Sequence, residues 1–306
     1  MQDTYVMAPS SPISFNVPDA HSRLSTPRRC ANVLGVPVDA LDMDDAIALI
    51  AERLQFGPKG YVCAIGVHGI LEALRDRTVA SALGNAAIGL PDGTPTVWVG
   101  RLQGHLTMNH VTGPAIMREF FSHRQFAGYS HYFYGGKASV AVELATTMRR
   151  QFPWIKVAGT FTPPFTSLTP NQESDIIARI NDARPDIIWV GISTPRQDVF
   201  MQRMIPHLDT RLMFGVGAAF DFLTGRIRDC PLWVKQAGLH WLQRLVQDPR
   251  RLWRRNLTNT AFLWHIGLQL TGMRSYPLRV ECEASNSNDR RGLQAEVFSS
   301  SGEKGQ

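Results

Sequence analysis

The chain has 306 residues, 44% of them apolar, and carries a formal net charge of +6. That length and composition suit a globular core in one large domain or two small ones. No apolar run is long enough for a membrane-crossing helix, and the opening Met1-Gln2-Asp3, with no basic-then-apolar segment, does not read as a secretion signal. The four cysteines, Cys30, Cys63, Cys230 and Cys282, are too dispersed for a metal-ligand pair or a compact disulfide framework. A reduced, cytoplasmic protein is expected.

Residues 1–28 are polar and rich in Pro and Ser, and are expected to be disordered. Asn32–Val38 then reads as a strand, Met43–Leu54 as a helix, Gly60–Ile65 as a strand and Gly69–Leu74 as helical. Ala86–Leu90 is a predicted strand, followed by a helix through Arg101 and another over Thr112–Phe121. Strands are predicted at His131–Tyr134, Ile155–Gly159, Asp186–Ile192 and Arg211–Val216. Helices are predicted at Ala138–Phe152, Asn171–Ala183 and Gln197–Ile205. Strand-helix alternation with β-branched strands implies an α/β fold, a parallel sheet flanked by helices on both faces. After Gly225 the alternation stops. Cys230–Asp248 and Pro249–Leu257 read as two helices rich in Trp and Arg, and Ala261–Leu270 as a third. The expected division is a disordered segment (1–28), an α/β domain (29–225), a basic helical appendage (226–278) and a disordered tail (279–306).

The segment with the most chemical content is Leu90-Pro91-Asp92-Gly93-Thr94-Pro95. It puts a carboxylate at the C-terminal tip of a buried strand, where open α/β sheets bind ligands. Gly93 and Pro95 make a tight turn that presents Asp92, the candidate general base. Gly135 and Gly136 follow a strand and precede a helix, where backbone N–H groups and the helix dipole favour a phosphate. This is not a P-loop, because Ala138 stands where Ser or Thr is required. Ser193 and Thr194 in Gly191–Gln197 are placed similarly. Gly215 and Gly217 match two glycines of a dinucleotide fingerprint, but Phe220 replaces the third, which argues against hydride transfer. Asp42-Met43-Asp44 spells a metal-binding DxD string, yet it opens a helix, where Asp caps the backbone. The nine His residues contain no H-x-x-x-H pair, and no metal site is expected.

Basic residues concentrate between Arg226 and Arg255, which points to a polyanionic partner. Leu239, Leu242, Leu245 and Val246 recur at helical spacing beside Trp241, and Arg244, Arg251 and Arg255 supply cations. An apolar stripe with Arg and Trp suits a helix on an anionic membrane surface; the bland alternative is a helix docked on its own domain. Nucleic acid ranks behind both, because no nucleic-acid fold accompanies the patch.

Taken together, the runs Leu90–Gly100, His110–Gly113, Gly191–Gln197 and Gly215–Leu257 resemble the WecG/TagA/CpsF family of bacterial glycosyltransferases. The last block is the most specific, with Phe220-Asp221-Phe222-Leu223-Thr224-Gly225, Ala237-Gly238-Leu239, Trp241–Leu245 and Asp248–Arg255 in the family's order. The resemblance covers about Asn32 to Pro277. It implies a Rossmann-like domain of the GT-E type with a C-terminal helical appendage. It also implies inverting transfer of a hexose or N-acetylhexosamine from a UDP-sugar to a polyprenyl-diphosphate-linked saccharide, feeding exopolysaccharide or teichoic acid synthesis. No cofactor or metal is expected, and the protein would sit peripherally on the inner face of the plasma membrane. The resemblance admits a homo-oligomer. It assigns Asp92 as base and places Gln197 in the active site. His68, Thr94, His110, Gly135, Gly136, Ser193, Thr194, Gly215, Gly217, Arg244, Arg251 and Arg255 are the candidate substrate contacts.

Three positions depart from the family pattern. His110 stands where many members have Arg, Ala115 where an Asp often follows, and Ile65-Gly66-Val67-His68 replaces a Thr-x-Asn strand end. These departures motivate an alternative, a non-catalytic subunit that binds a sugar nucleotide or lipid diphosphate.

Overall fold

The computed structural model describes residues 28–164, 168–227 and 249–278. The segments expected to be disordered (1–28 and 279–306) lie outside the described residues except for Arg28, which is held by Asp39 and the Ala86 carbonyl; the helix expected over Cys230–Asp248 also lies outside them.

The chain enters through a hairpin. β1 (Cys30–Val33) and β2 (Val36–Asp39) pair antiparallel, where the sequence predicts a single strand over Asn32–Val38. The break is the turn Leu34-Gly35, with φ of 54° and 87°. Two left-handed residues give the turn whose twist matches a two-residue hairpin. Glycine adopts that conformation freely, and Leu34 adopts it with its side chain buried in the core. Because Val33, Val36 and Val38 are all apolar, no change of polarity marks the turn.

The remaining strands are β3 (Gly60–Ile65), β4 (Ile88–Pro91), β5 (Ser130–Gly135), β6 (Lys156–Phe161), β7 (Ile187–Gly191) and β8 (Leu212–Gly215). They form one sheet in the order β4-β3-β8-β7-β5-β6, and every neighbouring pair is parallel. Its interior strands are covered on both faces, which is why they read as unbroken apolar runs. Cys63, Ile65, Ile188, Val190 and Met213 point into one core. It is shared with the hairpin, α2 (Val67–Arg75), α3 (Arg77–Gly84), α7 (Pro170–Ala183) and α8 (Arg196–Met204). Val62, Ile187, Trp189, Leu212 and Phe214 point into the other. That core is closed by α1 (Met43–Phe56), α5 (Gly113–Ser122), α6 (Val140–Gln151) and α9 (Ala219–Leu223). α4 (Thr94–Leu102) lies against β1.

Helix starts follow local chemistry. Asp42 caps α1, accepting from the Asp45 N–H at 3.0 Å, so the DxD string has a structural use. α3 is a helix the sequence reading passes over, although Asp76 caps it by accepting from the Thr78 N–H at 2.7 Å. Pro249–Leu257 and Ala261–Leu270, expected as two helices, are one, α10 (Pro249–Leu270). Thr258-Asn259-Thr260 suggests a break, but such residues disfavour a helix by only about 0.5 kcal/mol each, and packing overrides that. Phe262 and Ile266 of α10 enter the first core, and Gln269 accepts from the Leu34 N–H and donates to the Asn32 carbonyl. No helix among the described residues is long and apolar enough to cross a membrane.

Asp39 ties the hairpin to the sheet edge. Its buried carboxylate accepts from Nε and Nη2 of Arg28 and from the Gly89 N–H of β4 at 2.6 Å. Arg28 Nη1 donates in turn to the Ala86 carbonyl at 2.8 Å. A Cβ at Gly89 would lie 3.0 Å from the Pro37 carbonyl oxygen, so glycine permits the hairpin's approach. The strap satisfies an N–H that an edge strand otherwise leaves open. Asp39→Ala strands the guanidinium and this N–H together and is expected to cost about 2–4 kcal/mol in urea unfolding. A cost below about 0.5 kcal/mol, the level of an ordinary surface change, would show that the strap does not hold the hairpin.

Candidate active site

A parallel sheet sends all its strand C-termini to one edge. Here the connections leaving β3 and β7 pass to the first core (α2, α8), while the one leaving β8 passes to the second (α9). Neighbouring strands whose helices diverge open a crevice at their ends, so one opens on either side of β8. Asp92 stands one strand beyond, just past the end of β4.

Asp92 is held by its backbone. Its N–H donates to the Ile65 carbonyl at 3.0 Å, and its own carbonyl accepts from Thr96 Oγ1 at 3.4 Å. Gly93 turns the chain with φ of 97°, a conformation that favours glycine. Gly66, at the end of β3, lies directly against the acid. A Cβ there would come within 2.9 Å of the Asp92 carbonyl oxygen and 3.6 Å of Oδ2. Beside it, Thr94 Oγ1 is buried and makes no hydrogen bond. His68, on the first turn of α2, is half-buried with Nδ1 4.0 Å from Glu72 Oε1.

The loops are then linked one to the next. α2 meets the loop after β7, where a Cβ at Gly69 would lie 3.1 Å from Thr194 Cγ2. In that loop Ser193 is exposed, with φ of 72°, a left-handed conformation uncommon for a residue with a side chain. Gln197 fastens this loop to the one after β8. Its Nε2 donates to Thr194 Oγ1 at 3.2 Å, and its Oε1 accepts from the Gly217 N–H at 3.0 Å. Gly215 makes room for the amide, since a Cβ there would lie 3.0 Å from Nε2. Gln197 is 1% exposed, so it braces the site from behind. The loop before α5 closes the circuit. The Val111 N–H donates to the Pro91 carbonyl at 3.0 Å, and a Cβ at Gly113 would lie 2.5 Å from the Val216 carbonyl oxygen. His110 is exposed in this loop, beside the end of β4.

The helices that start around this circuit, α2, α4, α5 and α8, begin without a side-chain cap. In contrast α1, α3 and α7 are each capped by Asp or Thr. Uncapped N-termini present unsatisfied N–H groups and the positive end of the helix dipole, a setting for a diphosphate.

Gly135 and Gly136 are not part of this circuit. The Gly136 N–H donates to the Gly191 carbonyl at 3.0 Å, and a Cβ at Gly135 would lie 2.6 Å from that same oxygen. The Phe220 ring packs over both Gly191 and Gly136. The glycines that suggest a phosphate cradle therefore allow close strand contact and an aromatic plug. Gly217, the other expected donor, spends its N–H on Gln197. Arg244 lies outside the described residues, while Arg251 and Arg255 fall within α10. Arg226, at the start of the basic block, is paired with Glu143 through Nε and Nη2 at 3.0 and 2.6 Å. Among the described residues no three His, Cys, Asp or Glu side chains gather as a metal site.

The sequence reading names Gln197 but passes over its neighbour Asp198, which is wholly buried beneath the same loop. The visible signal was a charged residue in a helical turn whose other inward positions, Phe200 and Met201, are apolar.

Residues 31–276 match the glycosyl transferase WecG/TagA/CpsF family. Over 187 residues, 61% of this chain and 70% of the relative, the chain is 26% identical to an N-acetylglucosaminyldiphosphoundecaprenol N-acetyl-beta-D-mannosaminyltransferase of Bacillus subtilis (strain 168). It is 25% identical, over the same shares, to the protein of that name from Bacillus spizizenii (strain ATCC 23059 / NRRL B-14472 / W23).

Gln197→Leu keeps the shape and removes both hydrogen bonds, leaving the Gly217 N–H without its acceptor. The expected cost is about 1–3 kcal/mol in urea unfolding, with faster hydrogen exchange at Gly217. Unchanged exchange there would remove the bracing role.

Proposed function

This chain belongs to the glycosyl transferase WecG/TagA/CpsF family, and we propose that it moves a hexose- or N-acetylhexosamine-type sugar, with inversion, from a UDP-sugar to a polyprenyl-diphosphate-linked saccharide. The observation that carries this reading is the setting of Asp92. A carboxylate fixed by backbone bonds stands against Gly66, beside an unsatisfied Thr94 hydroxyl, within a ring of uncapped helix N-termini. The acceptor class is supported by the Bacillus relatives, whose names specify N-acetylglucosaminyldiphosphoundecaprenol.

In this reading Asp92 takes the proton of the acceptor hydroxyl as that oxygen attacks the anomeric carbon. The bond from that carbon to the UDP oxygen breaks on the opposite face, which inverts the centre. Negative charge then grows on the diphosphate, where N–H groups of the uncapped first turns stabilise it without a metal. Thr94, His68 and Ser193 are assigned to the bound substrate. His110, in the loop beside the β4 end, is assigned to a phosphate of the donor. Arg244, Arg251 and Arg255 are assigned to the lipid diphosphate and the anionic membrane surface, since Arg grips phosphate bidentately. The product would enter exopolysaccharide or another cell-surface polysaccharide, made at the inner face of the plasma membrane.

A non-catalytic binding subunit is the second reading. It is favoured by Ile65, whose buried side chain lies in the core at the strand end beside Asp92.

Asp92→Asn separates the two. The transferase reading expects UDP release in the presence of a synthetic lipid-diphosphate saccharide to fall about 10²–10⁴-fold. Binding of the UDP-sugar, followed by calorimetry, should stay within about threefold, a difference below 1 kcal/mol. Loss of binding instead of turnover sinks the base assignment, and a wild type that binds but never turns over supports the second reading. His110→Arg supplies a cation that stays charged at every working pH. It is expected to raise the transfer rate severalfold; no gain would remove residue 110 from the phosphate site.

A further inference from the structure

Asp198 occupies the first turn of α8, next to Gln197, and is 0% exposed. Neither carboxylate oxygen makes a hydrogen bond of ordinary geometry. The polar groups around it are the Cys63 thiol of β3, the Thr194 hydroxyl and the Gln197 amide. Its titratable neighbours, Cys63 and Tyr61, both belong to β3, and burial raises the pKa of each, which keeps them neutral. A buried carboxylate so poorly partnered is costly. Asp39 shows what a stabilising buried acid looks like in this protein, with an arginine and a backbone N–H on its oxygens.

The hydrogen-bond order around Gln197 gives the acid a use. The amide must point Oε1 at the Gly217 N–H and Nε2 at Thr194 Oγ1 to make both bonds. Thr194 Oγ1 thus acts as an acceptor and must send its own proton elsewhere. An ionised carboxylate only accepts. A neutral acid, or an amide, also donates and competes with Gln197 for that oxygen.

We propose that Asp198 is the positioning residue of the Thr194–Gln197–Gly217 brace, its buried carboxylate fixing the direction of the hydrogen bonds that hold the loops after β7 and β8 at the active site. The consequence for catalysis rests on the transferase reading above; the ordering of the brace does not. Burial raises the Asp198 pKa to about 6, against the weaker lowering by Cys63, Thr194 and Gln197. The brace is therefore ordered above that pH and loosens below it. Stability runs the other way. The folded state holds this proton more tightly than the unfolded chain, so the fold loses that advantage as pH rises through about 6. A non-titrating Asn escapes the loss.

The test compares wild type with Asp198→Asn. In the ¹⁵N spectrum of the full chain, the Gln197 side-chain amide should titrate with a midpoint near 6 in wild type and not in the variant. The variant's Tm at pH 7.5 should equal or exceed that of wild type. Its kcat for UDP release should fall about tenfold or more, as expected when a supporting group lets a site shift, with KM for the UDP-sugar unchanged. The acid limb of the wild-type pH–rate profile should disappear. An amide that does not titrate in wild type, or that titrates alike in both proteins, overturns the proposal, as does a variant with unaltered kcat and pH profile. A lower Tm together with an unaltered profile makes Asp198 a structural residue and also overturns it. Should the Asn variant not fold, Asp198→Glu retains the charge and is expected to keep the amide titration. A wild type that releases no UDP defeats the transferase reading, while the amide titration still decides whether Asp198 orders the brace.

Discussion

Every strand of the main sheet runs parallel to its neighbours, and its interior strands are buried on both faces. From that constraint most of the molecule follows. Parallel strands need crossover connections, so helices must cover both sides. All strand C-termini then reach one edge, and each loop there hands the chain to a new helix. The site is built from those loops because they are the places where the chain must leave its paired backbone. The hairpin strapped to β4 by Asp39 guards the exposed edge of this sheet on the side where the candidate base stands.

Glycines at that edge divide into two uses. Gly66, Gly69, Gly113 and Gly215 allow neighbouring loops to touch around Asp92 and Gln197. Gly135, Gly136 and Gly191 let β5, β7 and the Phe220 ring close on one another. The first set brings together the loops around the candidate base, and the second packs strand ends against an aromatic ring. Sequence alone does not distinguish them, since Gly66 and Gly215 stand at strand ends ahead of helices just as Gly135, Gly136 and Gly191 do.

Two buried aspartates make a parallel contrast. Asp39 has strong donors on its oxygens and links elements far apart in the chain. Asp198 is more deeply buried and lies among a thiol, a hydroxyl and an amide. The first arrangement offsets desolvation with charge-assisted hydrogen bonds. The second leaves much of the desolvation cost standing, a pattern that belongs to sites rather than to cores.

The sequence by itself determined the layered α/β class, the position of nearly every strand of the main sheet and the standing of Asp92 at a strand tip. Those features rest on short-range periodicity and turn chemistry, which neighbouring residues carry. Gly60–Ile65 is read without error because an interior parallel strand is apolar throughout. The Leu34-Gly35 turn was hidden because local polarity does not change there, and the continuity of α10 because the polar Thr258-Asn259-Thr260 reads as a break. Tertiary structure alone decided that Gln197 faces inward as a brace, that Phe220 fills the β5/β7 crevice, and that Gly66 abuts Asp92. Each of these depends on which strands are neighbours. The order β4-β3-β8-β7 joins residues more than a hundred positions apart, and strand order is set by the packing of the whole sheet.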